Sequence, residues 1–516
     1  MTSLLNILHT QAAPEHVLLA DGMQEYNLER LSNAVNHFST VLKKLDVQRL
    51  AMFADNSADW VITDLACQKL GICLLPLPDY FSSEQLEHAL NTCAIDTILT
   101  DQAVQLINKL PGLSLQKQLD YTSKLCFLSR AESSISTKLP DTCQKITFTS
   151  GSTGQPKGVC LSLQQQLQQA QTLAELIDIK NPLHLCLLPL STLLENIAGV
   201  YAPLFAGGTV NIRSLHSLGF EGSRLVDPSR MLSLIADIKP DTLILIPQLL
   251  ILLVQAIEQG WPAPRFKFVA VGGSKVAPDL LLKARALGIP AYEGYGLSEC
   301  ASVVSLNTPV ADQAGSCGRV LPNSQLTVVD DELVLSGNAM LGYVDDPENW
   351  YPAKIYTGDL GYIDTEGFVH INGRRKNILI SSYGRNISPE WLESELLASP
   401  LLAEAVVFGD ARPYCIALLY PRTEQISDAQ IARHIEQVNA KLPDYACLRG
   451  WHRLERPLAA DSRFMTNNGR PRRADIANFY SAEIELLYTA ETAKAVTRTH
   501  TQSIAKLSEK ISDELL

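Results

Sequence analysis

Residues Thr149 to Gly158 read TSGSTGQPKG, and the composition of this stretch decides the fold. Its small residues let backbone N–H groups, several hydroxyls and one lysine converge on a polyphosphate, a task few other loops need to perform. The flanks fit that use. Lys145-Ile-Thr-Phe-Thr149 reads as a strand, and Ser162 with Gln165 forms a capping-box signal for a glutamine-rich helix. The spacing therefore predicts a strand-to-helix turn. It is not a Walker A loop, which requires G-x-x-x-x-G-K-[ST], because Lys157 is followed by Gly158 and Val159. A flexible Ser/Gly surface turn has a similar composition, but Pro156 restricts this one.

Further motifs come in order: Tyr292-Glu-Gly-Tyr-Gly-Leu-Ser-Glu299, Tyr356-Thr-Gly-Asp359, Gly373-Arg374-Arg375-Lys376, and Gly384-Arg-Asn-Ile-Ser-Pro-Glu390. Together with the loop they resemble the adenylate-forming superfamily: acyl- and aryl-CoA synthetases, fatty acyl-AMP ligases, peptide-synthetase adenylation domains and firefly luciferase. Long-chain fatty acyl-CoA synthetases are the nearest in look. The resemblance runs from Tyr26-Asn-Leu to Arg473. It implies an α/β fold: a large N-terminal domain of layered α/β subdomains with a β-rich subdomain, and a small mobile α+β C-terminal domain.

Bulk properties agree. A chain of 516 residues can bury a sizeable core in two or three domains, and 46% hydrophobic with 19% charged residues is ordinary for a globular enzyme. The net charge of -12 argues against non-specific nucleic-acid binding. Eleven cysteines without a C-x-x-C pair read as reduced core thiols and point to the cytoplasm. The N-terminal stretch lacks the basic and apolar regions of a signal peptide. The longest apolar run, Leu243 to Val254, is interrupted by Pro247 and Gln248 and is too short to span a bilayer.

Apolar runs alternate with amphipathic stretches, which predicts layered α/β structure. Strands are expected at 50–54, 72–76, 97–100, 183–189, 242–246 and 267–271, with helices at 57–70 and 83–93. From Gly315 to about Gly373 short strands and turns suggest the β-rich subdomain. The glutamines at 164–169 read as a solvated helix face. The expected domains are 1–374, 375–480 and a helical extension, 481–516, suited to packing or oligomerisation.

A carboxylic acid is a poor electrophile at neutral pH. In the family's chemistry the carboxylate attacks the α-phosphorus of ATP, pyrophosphate leaves, and a thiol then displaces AMP. Such a site needs alignment and charge neutralisation more than a covalent nucleophile. The resemblance implies that Thr149, Ser150, Gly151, Ser152, Thr153, Gly154 and Lys157 hold the β- and γ-phosphates. Glu293, Gly294, Tyr295 and Gly296 belong to the nucleotide-binding motif, with Tyr295 against adenine. Ser298 contacts the α-phosphate, Glu299 binds Mg²⁺, Asp359 accepts from the ribose hydroxyls, and Arg374 contacts ribose or phosphate. Gly272 and Gly273 admit ligand close to the backbone near the acyl pocket. Lys376 is the hinge about which the small domain rotates, with Gly384 and 374–376 near the acceptor tunnel. Taken singly, each has an ordinary reading: Tyr295 a core aromatic, Glu299 a solvated helix residue, Asp359 a turn residue, 374–376 a solvated basic face. Their order in one chain favours function.

Two departures stand out. Family members carry a lysine after a glycine near the C-terminus, bridging substrate carboxylate and α-phosphate. Here Gly469 is followed by Arg470. Arginine keeps the charge but is longer and planar. Arg470 could still bridge; alternatively the protein is a slow adenylator, or binds acyl-adenylates without making them. The second departure is Leu188 to Gly199, where an aromatic or histidine is usual after Pro-Leu. Glu195 in an apolar setting points towards a fatty acyl pocket, although an amphipathic helix start gives the same pattern. Leu243 to Val254 reads as an acyl tunnel wall or a core helix. The expected substrates are ATP with Mg²⁺, a hydrophobic carboxylic acid of medium or long chain, and CoA or an acyl carrier protein as acceptor. No aspartate near 190–200 suggests an amino-acid substrate.

Overall fold

The computed structural model describes residues 3–118, 125–130, 137–149, 156–222, 224–461, 463–466 and 470–489. The chain divides into two compact units, Met1–Ile371 and Asn372–Leu516. In the first, strands Arg49–Phe53, Cys73–Pro76 and Thr97–Thr100 alternate with helices Ala58–Leu70 and Ser83–Thr92, the βαβαβ order expected from the sequence. Ser57 caps the first helix by accepting from Trp60 N, and Gly71 ends it in a left-handed conformation (φ 70°).

These strands pair in parallel, Ala51 opposite both Leu75 and Ile98, within an eight-stranded sheet. Side chains alternate between faces. Leu50, Met52 and Leu74 join one core, while Ala51, Phe53 and Leu75 join another with Leu86, Leu90 and Leu106. The first core is shared with a nine-stranded sheet whose inner strands, among them Leu183–Cys186, Thr242–Leu245, Phe268–Val271 and Ala291–Tyr295, are parallel. Helices Leu28–Lys44, Ala58–Leu70 and Leu163–Ile177 and the π-helix Glu195–Tyr201 contribute to that shared core. Helix Ala58–Leu70 is accordingly buried nearly all round.

A four-stranded sheet of Ser324–Val329, Glu332–Gly337, Ile355–Ile363 and Val369–Arg374 supplies the β-rich part. Its first hairpin turns at Asp330 and Asp331, both at positive φ (49° and 62°), as a two-residue turn matched to strand twist requires. In the second unit, Leu402–Phe408 pairs antiparallel with Cys415–Pro421, which pairs parallel with Leu448–Arg453. Helices Pro389–Leu397 and Asp428–Asn439 close its own core through Leu392, Leu396, Ile431 and Ile435.

Three expectations are revised. The TSGSTGQPKG loop is not a strand-to-helix turn: it joins two antiparallel strands, Cys143–Thr149 and Lys157–Ser162, with Thr149 opposite Lys157. Val159 and Leu161 enter the shared core and Cys160 the other, a two-sided burial that makes 157–162 a strand before Ser162 caps the helix. The glutamine-rich helix is a solvated face only in part: Gln164 and Gln168 are exposed as expected, while the helix's other side packs into the core shared by the sheets. Gln166 and Gln169 are fully buried, with Gln166 Nε2 donating to Gln144 Oε1 at 2.9 Å. The stretch Leu243 to Val254 is split between strand Thr242–Leu245 and helix Pro247–Glu258. No helix among the described residues is long and apolar enough to cross a membrane. All eleven cysteines are free thiols. The chain is helical at 481–489, and the rest of the expected extension, 490–516, lies outside the described residues.

Candidate active site

The inner strands of the nine-stranded sheet end along one edge, where ligands of open α/β sheets bind. Gly272 and Gly273 follow Phe268–Val271 there. A Cβ on Gly272 would lie 3.5 Å from the Gly294 carbonyl oxygen and 4.0 Å from Leu194 Cδ2. Gly273 lies at φ +88°, and a Cβ there would sit 3.5 Å from Ile246 Cγ2. These glycines leave a slot between two strand ends.

Gly294 and Gly296 serve the chain's own packing. A Cβ on Gly294 would come within 2.9 Å of Leu306 Cδ1, and one on Gly296 within 1.6 Å of the Ser302 oxygen. Glu293 is buried: its Oε1 accepts from Val276 N (3.3 Å), and its carbonyl accepts from Asn307 Nδ2 (3.1 Å). Burial pushes its carboxyl up to about 7. Glu293 thus stitches the Gly272–Val276 loop to its strand.

Tyr295 and Asp359 meet. Tyr295 Oη donates to Asp359 Oδ2 at 2.7 Å, and burial first, then the Asp359 charge, holds the phenol well above its ordinary pKa. Asp359 is itself buried, and its N–H donates to Thr357 Oγ1 (3.1 Å), whose hydroxyl donates to the Leu333 carbonyl (2.7 Å). Ser298 opens the 3₁₀ turn Ser298–Cys300, followed by Ala301 and Ser302 at positive φ (53° and 97°). Gln169 steadies this strained return: its Nε2 donates to the Val303 carbonyl (2.7 Å), and its Oε1 accepts from Asn323 (2.9 Å) and Asn338 (3.0 Å).

Glu299, Tyr343 and Lys157 form a second group. Tyr343 Oη donates to Glu299 Oε1 (3.1 Å), and Lys157 Nζ lies 5.0 Å from the Tyr343 ring centroid. Strand Gly342–Tyr343 pairs with Lys157–Ser162, which brings these residues together. At the far end of the loop, His88 Nε2–H donates to the Pro156 carbonyl (3.0 Å), and its ring meets Phe148 edge-on at 6.0 Å. Ser150, Gly151, Ser152, Thr153 and Gly154 lie outside the described residues. Sequence reasoning missed His88, Tyr343 and Gln169, because none belongs to a recognisable motif; a glutamine on a helix buried between sheets was the one available signal.

Glu299 fits Mg²⁺. It is a hard oxygen donor beside the loop, and Mg²⁺ commonly needs only one or two carboxylates once phosphate oxygens complete its shell. Glu195 does not line a pocket as expected. It is fully buried, with Oε1 3.1 Å from His184 Nε2 and Oε2 accepting from Leu188 N (3.3 Å).

In the second unit, Arg374 ends strand Val369–Arg374, and its carbonyl accepts from Asn377 N (2.9 Å) and Ile378 N (3.1 Å), placing exposed Arg375 and Lys376 in a turn. Arg470 is exposed: its N–H donates to Thr466 Oγ1 (2.9 Å), and its carbonyl accepts from Thr466 N (2.7 Å). Arg473 anchors the start of helix Arg473–Phe479, with Nη2 within 2.7 Å of both Glu393 oxygens.

The sequence profile described as AMP-binding enzyme matches residues 8–342, and that of the AMP-binding enzyme C-terminal domain matches 376–492. A long-chain-fatty-acid–CoA ligase, FadD15, from Mycobacterium bovis is 24% identical over 94% of this chain and 96% of its own. Two solved structures share the fold. An anthranilate CoA ligase, AuaEII, in complex with anthranoyl-AMP has a TM-score of 0.76 at 20% identity, covering 92% of this chain and 96% of its own. The o-succinylbenzoate CoA synthetase of Bacillus subtilis with ATP and magnesium has a TM-score of 0.71 at 22% identity, covering 88% and 96%. The chain belongs to the AMP-binding enzyme family of the adenylate-forming superfamily.

Proposed function

We propose that this protein is an ATP- and Mg²⁺-dependent acid–thiol ligase that converts a hydrophobic carboxylic acid, of medium or long chain, to its acyl-AMP and passes the acyl group to CoA. The observation that carries this reading is the Tyr295–Asp359 pair beside the glycine slot. A buried carboxylate is suited to receive ribose hydroxyls, and an aromatic ring to cover adenine. Lys157 and the loop hydroxyls would neutralise the polyphosphate, Ser298 would meet the α-phosphate, and Arg374 would meet ribose or phosphate. Mg²⁺ held by Glu299 would supply charge neutralisation at the departing pyrophosphate. Arg470, in the lysine's place, would bridge carboxylate and α-phosphate, a contact that gains strength as charge develops. Lys376 would absorb the rotation between adenylation and thioester formation.

Leu194 and Ile246 beside the slot suit an apolar acid. The relative named as a long-chain-fatty-acid–CoA ligase supports a fatty acid, while the anthranilate ligase among the structural neighbours makes an aromatic acid the second reading. Pyrophosphate release with Mg²⁺-ATP over a panel of fatty, aromatic and amino acids, first without thiol and then with CoA or a carrier protein, is the test. Acid-dependent release names the substrate class, and the thiol that accelerates turnover names the acceptor. Nucleotide binding with no release for any acid would overturn the ligase reading in favour of a non-catalytic acyl-adenylate binder, the alternative that Arg470 raises.

A further inference from the structure

Two buried polar clusters grip the π-helix Glu195–Tyr201. On one side is the His184–Glu195 pair, His184 coming from the nine-stranded sheet and donating or accepting at Thr242 Oγ1 (2.9 Å) through its other nitrogen. On the other side is Lys145, in the strand of the eight-stranded sheet that runs on to Thr149. Its Nζ meets Asp64 Oδ2 (3.0 Å), Asn196 Oδ1 (2.5 Å) and Tyr201 Oη (2.9 Å), so all three ammonium hydrogens have acceptors. Asn196 Nδ2 and Tyr201 Oη also donate to Asp64 Oδ2, and Gln68 Nε2 donates to Tyr201 Oη (2.8 Å). Lys145 and Asp64 are 1% and 0% exposed, so water screens neither charge. The segment leading into the π-helix ends at Leu194, beside Gly272, and is pinned by Asn56, which donates to the Leu188 carbonyl (2.9 Å) and accepts from Leu190 N (2.7 Å).

A buried ion pair adds little stability over a well-packed apolar pair, because desolvation offsets the attraction. What this one supplies is register. A π-helix closes each backbone hydrogen bond over one more residue than an α-helix, i to i+5 in place of i to i+4, and the bonds to Asn196 and Tyr201 oppose a slip back. We propose that Lys145 is a positioning residue for adenylation: through Asp64, Asn196 and Tyr201 it locks the strand that enters the phosphate loop to the helix that carries the acid-side segment Leu187–Leu194. The proposal rests on the ligase reading above, since its effect is to align carboxylate with α-phosphate.

The test is Asp64→Asn/Lys145→Met, which removes both charges at similar volume, measured beside the wild type. The expected double variant melts below the wild-type temperature, because buried Asn196 Oδ1 loses its donor, but folds, keeps its KM for ATP and acid, and loses kcat for pyrophosphate release on the order of 10- to 100-fold, as misalignment does. Amide exchange across 187–201 should rise. Tyr201→Phe, a milder change, should shift kcat the same way by less, and covers the case in which the double variant does not fold. Wild-type kcat in a folded variant with unchanged exchange would overturn the proposal while leaving the ligase reading intact. A wild type silent with every acid would overturn the ligase reading first, and the proposal with it.

Discussion

Arg470 and Glu293 show how a single position sets behaviour. Arg470, held through its backbone by Thr466, is proposed to present a guanidinium where the resemblance expects an ammonium. Arg470→Ala should lower pyrophosphate release by roughly 10²- to 10³-fold, as loss of a transition-state donor does, while thioester formation from supplied acyl-AMP changes little. Unchanged release would remove Arg470 from the mechanism. Glu293 predicts a pH effect on stability. Its folded pKa of about 7 exceeds the ordinary 4.5. Between these values the unfolded chain releases a proton that the folded chain retains, so stability is full below the lower value and falls as pH rises to the upper one. Denaturant melts of wild type and Glu293→Gln should diverge by about 3 kcal/mol across that window, the variant losing less stability than the wild type as pH rises. Parallel curves would show that Glu293 ionises normally.

Elements explain what could be read from the sequence and what could not. Helix 57–70 was legible because Ser57 and Gly71 punctuate it, and strand 97–100 because it is a short apolar run between turn residues. The setting of the 149–158 stretch was not legible: 157–162 is too short to announce itself as a strand until both its faces are seen to be buried. Tyr295 and Asp359 came from motifs, whereas Tyr343 reaches Glu299 only because a two-residue strand pairs at the sheet edge. Gln169 was misjudged because polarity normally signals exposure, and only a helix between two sheets can match a buried amide on both sides. Gln169→Leu leaves the Val303 carbonyl and two asparagines short of a partner, and should cost about 2–4 kcal/mol in a urea melt. A loss below the error of the melt would mean that water replaces the amide there.

At the scale of the whole molecule, the division between Ile371 and Asn372 falls shortly before the Arg374–Lys376 turn. Proline at 376 restricts the backbone that a hinge must rotate. Lys376→Pro should therefore suppress thioester formation more than acid-dependent pyrophosphate release, read by following both products in one reaction; equal loss of both would argue against a two-pose cycle. The free thiols offer a way to watch that cycle. Burial deprives most of them of reagent and, at Cys67, Cys93 and Cys300, raises the thiol pKa, so thiolate is scarce. Maleimide dyes should thus ignore the buried native cysteines but not Cys143 and Cys447, which are partly exposed, Cys143 with its thiol pKa held below the ordinary value by hydrogen bonds from Cys160 and Cys73. Val310, 90% exposed in the first unit, and Tyr383, 76% exposed in the second, can each become a labelling site once Cys143 and Cys447 are replaced by serine, so that a fluorophore pair reports the separation of the units turnover by turnover with the buried native thiols left in place.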